Sequence, residues 1–515
     1  MGEPIVSQRS TNRRTRQRPG AAGPMDGKPF RLVRNPFRPL EALSGEQLAR
    51  IHEASMRIVE EIGIDFLDAE ALQLWHDAGA RVDWKCQHVW IDREHLLSLV
   101  GKAPSEFTLR ALNPERSLVF GGNAVNFATV GGAPFYSDLE TGRRPGSLAA
   151  FEKMVKLAQV CNPIHIVEGL LLEPQDIPVP IRHLEKNLIQ LTTSDKVYTA
   201  AAHGRDVASD YIRMAAIVFG GLDSVQRQPV MAAVVNANSP LRFDGRMLGG
   251  LIMFARYGQP AIVTPFILAG AMSPVTLAAA IAQQNSEALA GIALTQLVNP
   301  GCPVIYGGFT TNIDMQTGSP AFGTPEGALA LMTGAQLARY YGVPYRGSGG
   351  LNNAKLPDAQ ASYETQMSLW PAVMAHANII LHSAGWLEAG LVCSLEKFVI
   401  DVEGLAVFQR MLGGVEVSDE TLALESIAEV GPGGHHLGTA HTLERYRSEF
   451  YLPFVSDRQN YDKWLQDGQT DAARRAHGIA NVLLGEYERP PLDPGVREEL
   501  RAYVERRKSE LAGTG

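Results

Sequence analysis

The chain has 515 residues, 45% of them hydrophobic and 20% charged, with 50 glycines and 31 prolines. That is room for two to four domains or one large barrel with additions; the chain is too apolar for disorder and too interrupted for a membrane bundle. A net charge of −8 and a pI near 5.9 exclude a broad nucleic-acid-binding surface. Four cysteines without paired CxxC spacing exclude a disulfide framework and point to the cytoplasm.

In chain order, residues 1–35 read as a disordered basic tail. Its stretch QRSTNRRTRQR lacks the apolar run that a secretory signal needs. Residues 36–125 read as an N-terminal helical extension, with helical apolar periodicity over 43–64. Ser44 suits an N-cap, Gln47 closes a capping box three residues on, and Gly63 marks a stop.

From 126 to 412 short apolar runs alternate with amphipathic stretches. The runs fall at 126–130, 164–172, 197–202, 230–237, 261–267, 304–309, 343–347 and 379–384. Helices are expected at 148–160, 205–219, 276–297, 325–341 and 359–375, with a last one at about 387–411. Eight such units over about 290 residues predict an α/β fold, a (β/α)8 TIM barrel, with a doubly wound open sheet as the alternative. The charge-free stretch 257–286 is broken by Pro260, Pro265 and Pro274, so it reads as a buried strand and helix and not as a membrane span. Residues 413–515, which hold GPGGHHLGTAHT and end in a charged helix, read as a C-terminal cover packed on the barrel.

Barrel chemistry sits where strand C-termini meet the following loops. Those junctions collect Phe127, Phe135, Tyr136, Phe266, Phe309, Tyr345 and Trp386. Aromatic faces with a nearby carboxylate recognise a cation that lacks N–H donors, each contact contributing roughly 0.5–2 kcal/mol. Core packing is the competing explanation for each ring. Asp138, Glu173, Glu388 and Glu396 are the acidic candidates. Trp386 and Glu388 together are expected to face a substrate cation at the eighth strand, provided the chain stays extended there. Arg346 suits a substrate carboxylate through a bidentate contact, with a loop salt bridge as the alternative. His435, His436 and His441 are expected to line the mouth or touch a partner and not to bind zinc, because no cysteine or acidic ligand is near in sequence. The glycine-rich GGAPFYSD and GSGG lack nucleotide-binding spacing and suit turns or close approach of a planar corrin.

Long segments resemble a known family. PFRPLEALSGEQLARIHEASMRIVEEIGI, GGAPFYSDLETGRRPG, VVNANSPLRFDG, TNIDMQTGSPAFGTPE, LHSAGWLEAGL and GPGGHHLGTAHTL are similar to the trimethylamine methyltransferase family of corrinoid-dependent methyltransferases. The resemblance implies a barrel enzyme that passes a methyl group from a quaternary or tertiary amine to the cobalt of a separate corrinoid protein, with no tightly bound cofactor of its own. Founding members carry pyrrolysine near a late strand end, in the region that corresponds to 345–353; YRGSGGLNN has none, so the chain looks more like the demethylases of glycine betaine and similar amines. The implied partners are the corrinoid protein and the amine, with neither nucleic acid nor membrane, and a homo-oligomer suits so apolar a chain. The competing readings are an inactive barrel that binds or senses quaternary amines, and a metal-dependent hydrolase.

Overall fold

The computed structural model describes residues 23–512, so the basic stretch at 8–18 lies outside the described residues. Eight parallel strands close into a barrel: β1 (Ala124–Thr129), β2 (Ile166–Val167), β3 (Val197–Ala201), β4 (Met231–Ala237), β5 (Ala261–Ala269), β6 (Val304–Gly307), β7 (Tyr345–Ser348) and β8 (Ile379–Ala384). The ring shuts where Ile379 of β8 pairs with Asn126 of β1. One helix follows each strand: α1 (Leu148–Val160), α2 (Val179–Thr193), α3 (Arg205–Phe219), α4 (Gly245–Arg256), α5 (Leu277–Val298), α6 (Pro325–Tyr340), α7 (Ala359–Met374) and α8 (Leu395–Leu412). Side-chain caps fix several starts. Asp244, Thr324 and Ser394 accept N–H groups of the first turns of α4, α6 and α8.

Because strand side chains alternate, one set fills the barrel and the other meets the helices. Ala128, Ile166, Val197, Ala232, Ile262 and Ile305 form an inner apolar layer. The antiparallel hairpin Glu106–Leu109/Leu118–Gly121 seals that layer from the strand N-terminal side, where Leu118 and Phe120 are fully buried. Each contributes about 1.5–3 kcal/mol. The opposite end is open, and Asn236 of β4 is exposed there.

The N-terminal extension is not purely helical. Besides the helices Gly45–Arg57, Ala69–Asp77 and Arg93–Val100, the strands Ile64–Phe66, Arg81–Asp83 and His88–Trp90 join Arg242–Phe243 in a small sheet. Glycines at 63 and 79, both at positive φ, end the helical turns and free these short alternating runs to pair. The Ser44–Gln47 capping box forms. Gly45–Arg57, Ala69–Asp77 and Arg93–Val100 all pack on α5, which explains why that helix is almost wholly buried all round. No helix among the described residues is long and apolar enough to cross a membrane. Residues 28–35, expected to be disordered, belong instead to an ordered strap over 28–40. Val33 pairs antiparallel with Val125, and Asn35 Nδ2 donates to Val373 O.

After β8 the chain does not enter a helix at 387. Trp386–Leu387 and Val392–Ser394 form a hairpin, and α8 starts at Leu395. Gly385 (φ 96°), Glu388 (φ 50°) and Ala389 (φ 55°) in the left-handed region force that detour. Beyond α8, residues 413–452 form three short helices without a single buried residue in any of them. The chain then returns to α8, where the N–H groups of Phe454, Val455 and Ser456 donate to the Glu403 carboxylate. Ala472–Gly485 packs on α8 and α1, and Pro494–Ala512 on α2 and α3. The tail therefore clasps outer helices.

Candidate active site

The ring cluster at the strand C-termini assembles around Phe309, which follows β6. Its centroid lies 5.2 Å from Phe266, 5.6 Å from Phe322, 5.4 Å from His382 and 6.3 Å from Trp386. Trp386 closes the wall, with its ring 4.5 Å from His382 and 5.4 Å from Phe322. Backbone devices hold the indole. Its Nε1 donates to Asn352 O (3.1 Å) while Asn352 Nδ2 donates to Trp386 O (2.7 Å). The Gly385 N–H that swings the chain into this position donates to Asp401 of α8 (2.9 Å), and Asp401 is itself paired with buried Lys397. Gly390 must lack a side chain, since a Cβ there would stand 2.6 Å from Trp386 Cη2.

A guanidinium and a carboxyl group approach one another at the same lumen. Arg346 of β7 is 2% exposed and holds its guanidinium 4.9 Å from the Phe309 centroid. Its Nη1 donates to Gly308 O (3.2 Å), while its Nε has no partner. Burial lowers its pKa to about 10, so it stays charged at neutral pH. Glu168, just past β2, accepts from Thr199 Oγ1 (2.6 Å), and burial raises its pKa against the attraction of Arg346 and Lys186. The two feel each other's charge, yet no ion pair joins them. A buried guanidinium with a free donor near a buried carboxyl group complements a ligand with a charge at each end. His382 completes the wall as a neutral ring. Burial first and Arg346 second push its pKa well below the ordinary value, and its Nδ1 meets Ser348 Oγ (3.2 Å).

The structure brings Phe266, Phe309, Arg346 and Trp386 together and places the remaining sequence candidates elsewhere. Tyr345, one step out of phase with Arg346, faces the helices, and a Cβ on Gly334 of α6 would stand 2.5 Å from its hydroxyl. Tyr136 lies in the strand Phe135–Asp138 over α1, its ring beneath Arg144 and Lys153. Phe127 stacks on His165 on the outer side of β1. Glu388 accepts from Arg143 (3.1 Å), whose guanidinium covers Phe135. Asp138 takes Thr141 and Arg144, Glu173 takes Lys186 and Arg182, and Glu396 takes His477. His435 and His436 are exposed on the 413–452 segment. Among the described residues no three His, Cys, Asp or Glu side chains converge to share a metal ion. Sequence reasoning missed Glu168, His382 and Phe322. Glu168 had a signal, being the one carboxylate in the apolar run 164–172.

Residues 9–512 match the family described as trimethylamine methyltransferase (MTTB). A glycine betaine methyltransferase of Desulfitobacterium hafniense strain Y51 is 40% identical over 469 residues, 91% of this chain and 97% of that protein. A trimethylamine methyltransferase MttB of another D. hafniense strain, DSM 10664 / DCB-2, is 31% identical over 475 residues, 92% of this chain and 95% of that protein. Among solved structures, the monomethylamine methyltransferase MtmB of Methanosarcina barkeri aligns over 88% of this chain and 90% of its own, with a TM-score of 0.49 at 9% identity. With a family match that runs through the N-terminal extension, the barrel and the clasp, the chain belongs to the trimethylamine methyltransferase family.

Proposed function

We propose that the chain removes a methyl group from a zwitterionic quaternary amine of the betaine type and passes it to the cobalt of a separate corrinoid protein. The observation that carries this reading is the separated Arg346–Glu168 pair in a lumen walled by Phe266, Phe309, Phe322 and Trp386. A trimethylammonium group has no N–H to donate, so ring faces suit it, at roughly 0.5–2 kcal/mol per contact. Glu168 offers a carboxyl group whose charged form a bound cation would favour, and Arg346 offers its free Nε–H to a carboxylate. The 40% identity to a protein named glycine betaine methyltransferase supports the same class of substrate.

The chemistry asks little proton work of the protein. The leaving group is a neutral tertiary amine, so the C–N bond can break with its electron pair left on nitrogen and no general acid is required. The corrinoid's cobalt(I) supplies the nucleophile. The chain's own residues hold the cation, exclude water and aim one methyl at the open end of the barrel. A neutral His382 completes the wall without repelling the cation. Around that opening Val275, Met315 and Leu356 are 71%, 75% and 66% exposed, an apolar rim that suits a docked corrinoid protein. Four free cysteines suit a cytoplasmic setting.

The test mixes the chain with reduced corrinoid protein and follows cobalt methylation by absorbance. Glycine betaine should react fastest, with choline and trimethylamine at least tenfold slower for want of the carboxylate. Equal or faster reaction of choline or trimethylamine would overturn the betaine assignment. Tight binding without transfer would favour a sensing barrel.

A further inference from the structure

Two loops meet at Trp386, and each is tied to a different helix. The loop after β8 begins at Gly385, whose N–H, at φ 96°, donates not to a strand but to Asp401 Oδ2 of α8 (2.9 Å). The loop after β7 runs through Gly350 and Asn352. Gly350 O accepts from Thr365 Oγ1 of α7 (3.3 Å) and from Asn352 Nδ2 (3.1 Å). Asn352 and Trp386 exchange two hydrogen bonds, so the loops are joined at the indole itself. Lys397 of α8 closes the circuit, because its Nζ donates both to Thr365 Oγ1 (2.9 Å) and to Asp401 Oδ1. Hydrogen bonds thus run from α8 through α7 and both loops back to α8, with Trp386 as the aromatic member of the circuit.

Helix α8 does not need a charged pair for its packing. Phe398, Val399, Val402 and Leu405 on the same helix are fully buried and carry that contact. Lys397 and Asp401 are 1% and 5% exposed, and a buried ion pair returns little net stability, because desolvation of both groups offsets their attraction. What the pair supplies is direction. Asp401 has one oxygen on Lys397 and the other on Gly385, so its carboxyl group is fixed from both sides and the Gly385 N–H has one place to go. The loops have little room to settle otherwise, since a Cβ on Gly350 would stand 2.2 Å from His382 O. The rings of His382 and Phe322 stand 4.5 and 5.4 Å from Trp386, so a small turn of the indole reshapes the wall.

We infer that Lys397 and Asp401 are positioning residues for Trp386: through Gly385 and through Thr365 they set the angle at which the indole presents its face to a quaternary ammonium group. This rests on the reading of the ring cluster as the seat of the amine's cation. Both side chains are engaged by backbone and by Thr365 behind the wall, so they act on the ligand only through the indole. A cation held by ring faces is sensitive to that angle, because the attraction follows the quadrupole normal to the ring.

Near-ultraviolet circular dichroism and titration together test this. The spectrum of the wild type minus that of Trp386→Leu isolates the band of the ordered indole with no ligand present. Lys397→Met/Asp401→Leu removes the pair without stranding a charge and should lose at least about half of that band, whereas Lys397→Met/Asp401→Asn keeps an acceptor for the Gly385 N–H and should retain it. In isothermal titrations with tetramethylammonium and with glycine betaine, the Leu variant should bind both about fivefold more weakly and the Asn variant within about twofold of wild type. In a Trp386→Leu background the two variants should bind alike, because the indole through which they act is gone. Thr365→Val cuts the circuit at α7 by one hydroxyl and should show the same pattern at about twofold, which keeps the test open if Asp401→Leu does not fold. A Trp386 band that stays whole in the Leu variant and in Thr365→Val, or losses of affinity that simply add to that of Trp386→Leu, overturns the inference. A band that falls as expected while Trp386→Leu binds both cations like wild type upholds the placement of the indole and strikes the reading of the rings as the cation's seat.

Discussion

Replacing Arg346 by methionine tests the recognition of a substrate carboxylate most directly. The guanidinium sits 2% exposed at the lumen with Nη1 on Gly308 O and Nε unpaired, so its burial is unrepaid until a second acceptor arrives. A charge-assisted hydrogen bond in such a setting contributes about 1.5–3 kcal/mol, so loss of the side chain should weaken glycine betaine binding by roughly 10- to 150-fold. Choline, which offers no carboxylate, should bind within a few-fold of wild type. The single variant strands Glu168 without the opposite charge, so Arg346→Met/Glu168→Gln belongs beside it to separate lost recognition from lost stability. Isothermal titration with both ligands gives the comparison, and melting temperatures give the control. Glycine betaine affinity unchanged in Arg346→Met, or an equal fall for choline, would refute the reasoning.

Phe309→Leu removes the ring central to the cluster and should weaken betaine and choline alike, by about 1 kcal/mol or fivefold each in titrations. Glu388→Gln should leave the affinity for both within twofold, because its carboxylate is engaged by Arg143 away from the rings. Gly390→Ala adds a Cβ 2.6 Å from the Trp386 ring at φ 88°, and should cost about 1–3 kcal/mol in denaturant titrations while disturbing ligand binding. Glu287 on α5 is buried among donors from Ser239, Leu241 and Gln283, and burial raises its pKa to about 7. The folded chain therefore holds this proton between the ordinary glutamate value of 4.5 and about pH 7 while the unfolded chain has lost it, so stability falls as pH rises through that window. Glu287→Gln should remove about 3 kcal/mol of that fall, read as the difference in unfolding free energy between pH 5 and pH 8.

The barrel was legible because each strand wrote a short uncharged run into the sequence and each helix a longer amphipathic one. The inward face of each strand was not. Strands buried on both sides carry no hydrophobic alternation, so nothing separated Tyr345, which faces α6, from Arg346, which faces the lumen. The pairing of Trp386 with Glu388 assumed an extended chain. Left-handed Glu388 and Ala389 break that assumption, and such a conformation in non-glycine residues leaves no signature in composition. The helical reading of 36–125 found the helices and missed the strands for a related reason, because strands of three residues are shorter than any periodicity can resolve. Phe322 reaches the cluster from a loop whose N–H is held by Asn353, a contact 31 residues away that local pattern cannot reveal.

The hairpin at 106–121 makes the lumen a blind alley. A pocket with one doorway cannot admit its small ligand from behind once a macrocycle stands in front of it. On the proposed reaction, the amine must therefore enter first and its demethylated product must wait for the corrinoid protein to withdraw. Kinetics should be strictly ordered, with excess corrinoid protein acting as a competitive obstacle to the amine. A barrel open at both ends would carry no such rule. The side chains of Leu118 and Phe120, far from any reacting atom, would thus set the queue at the door.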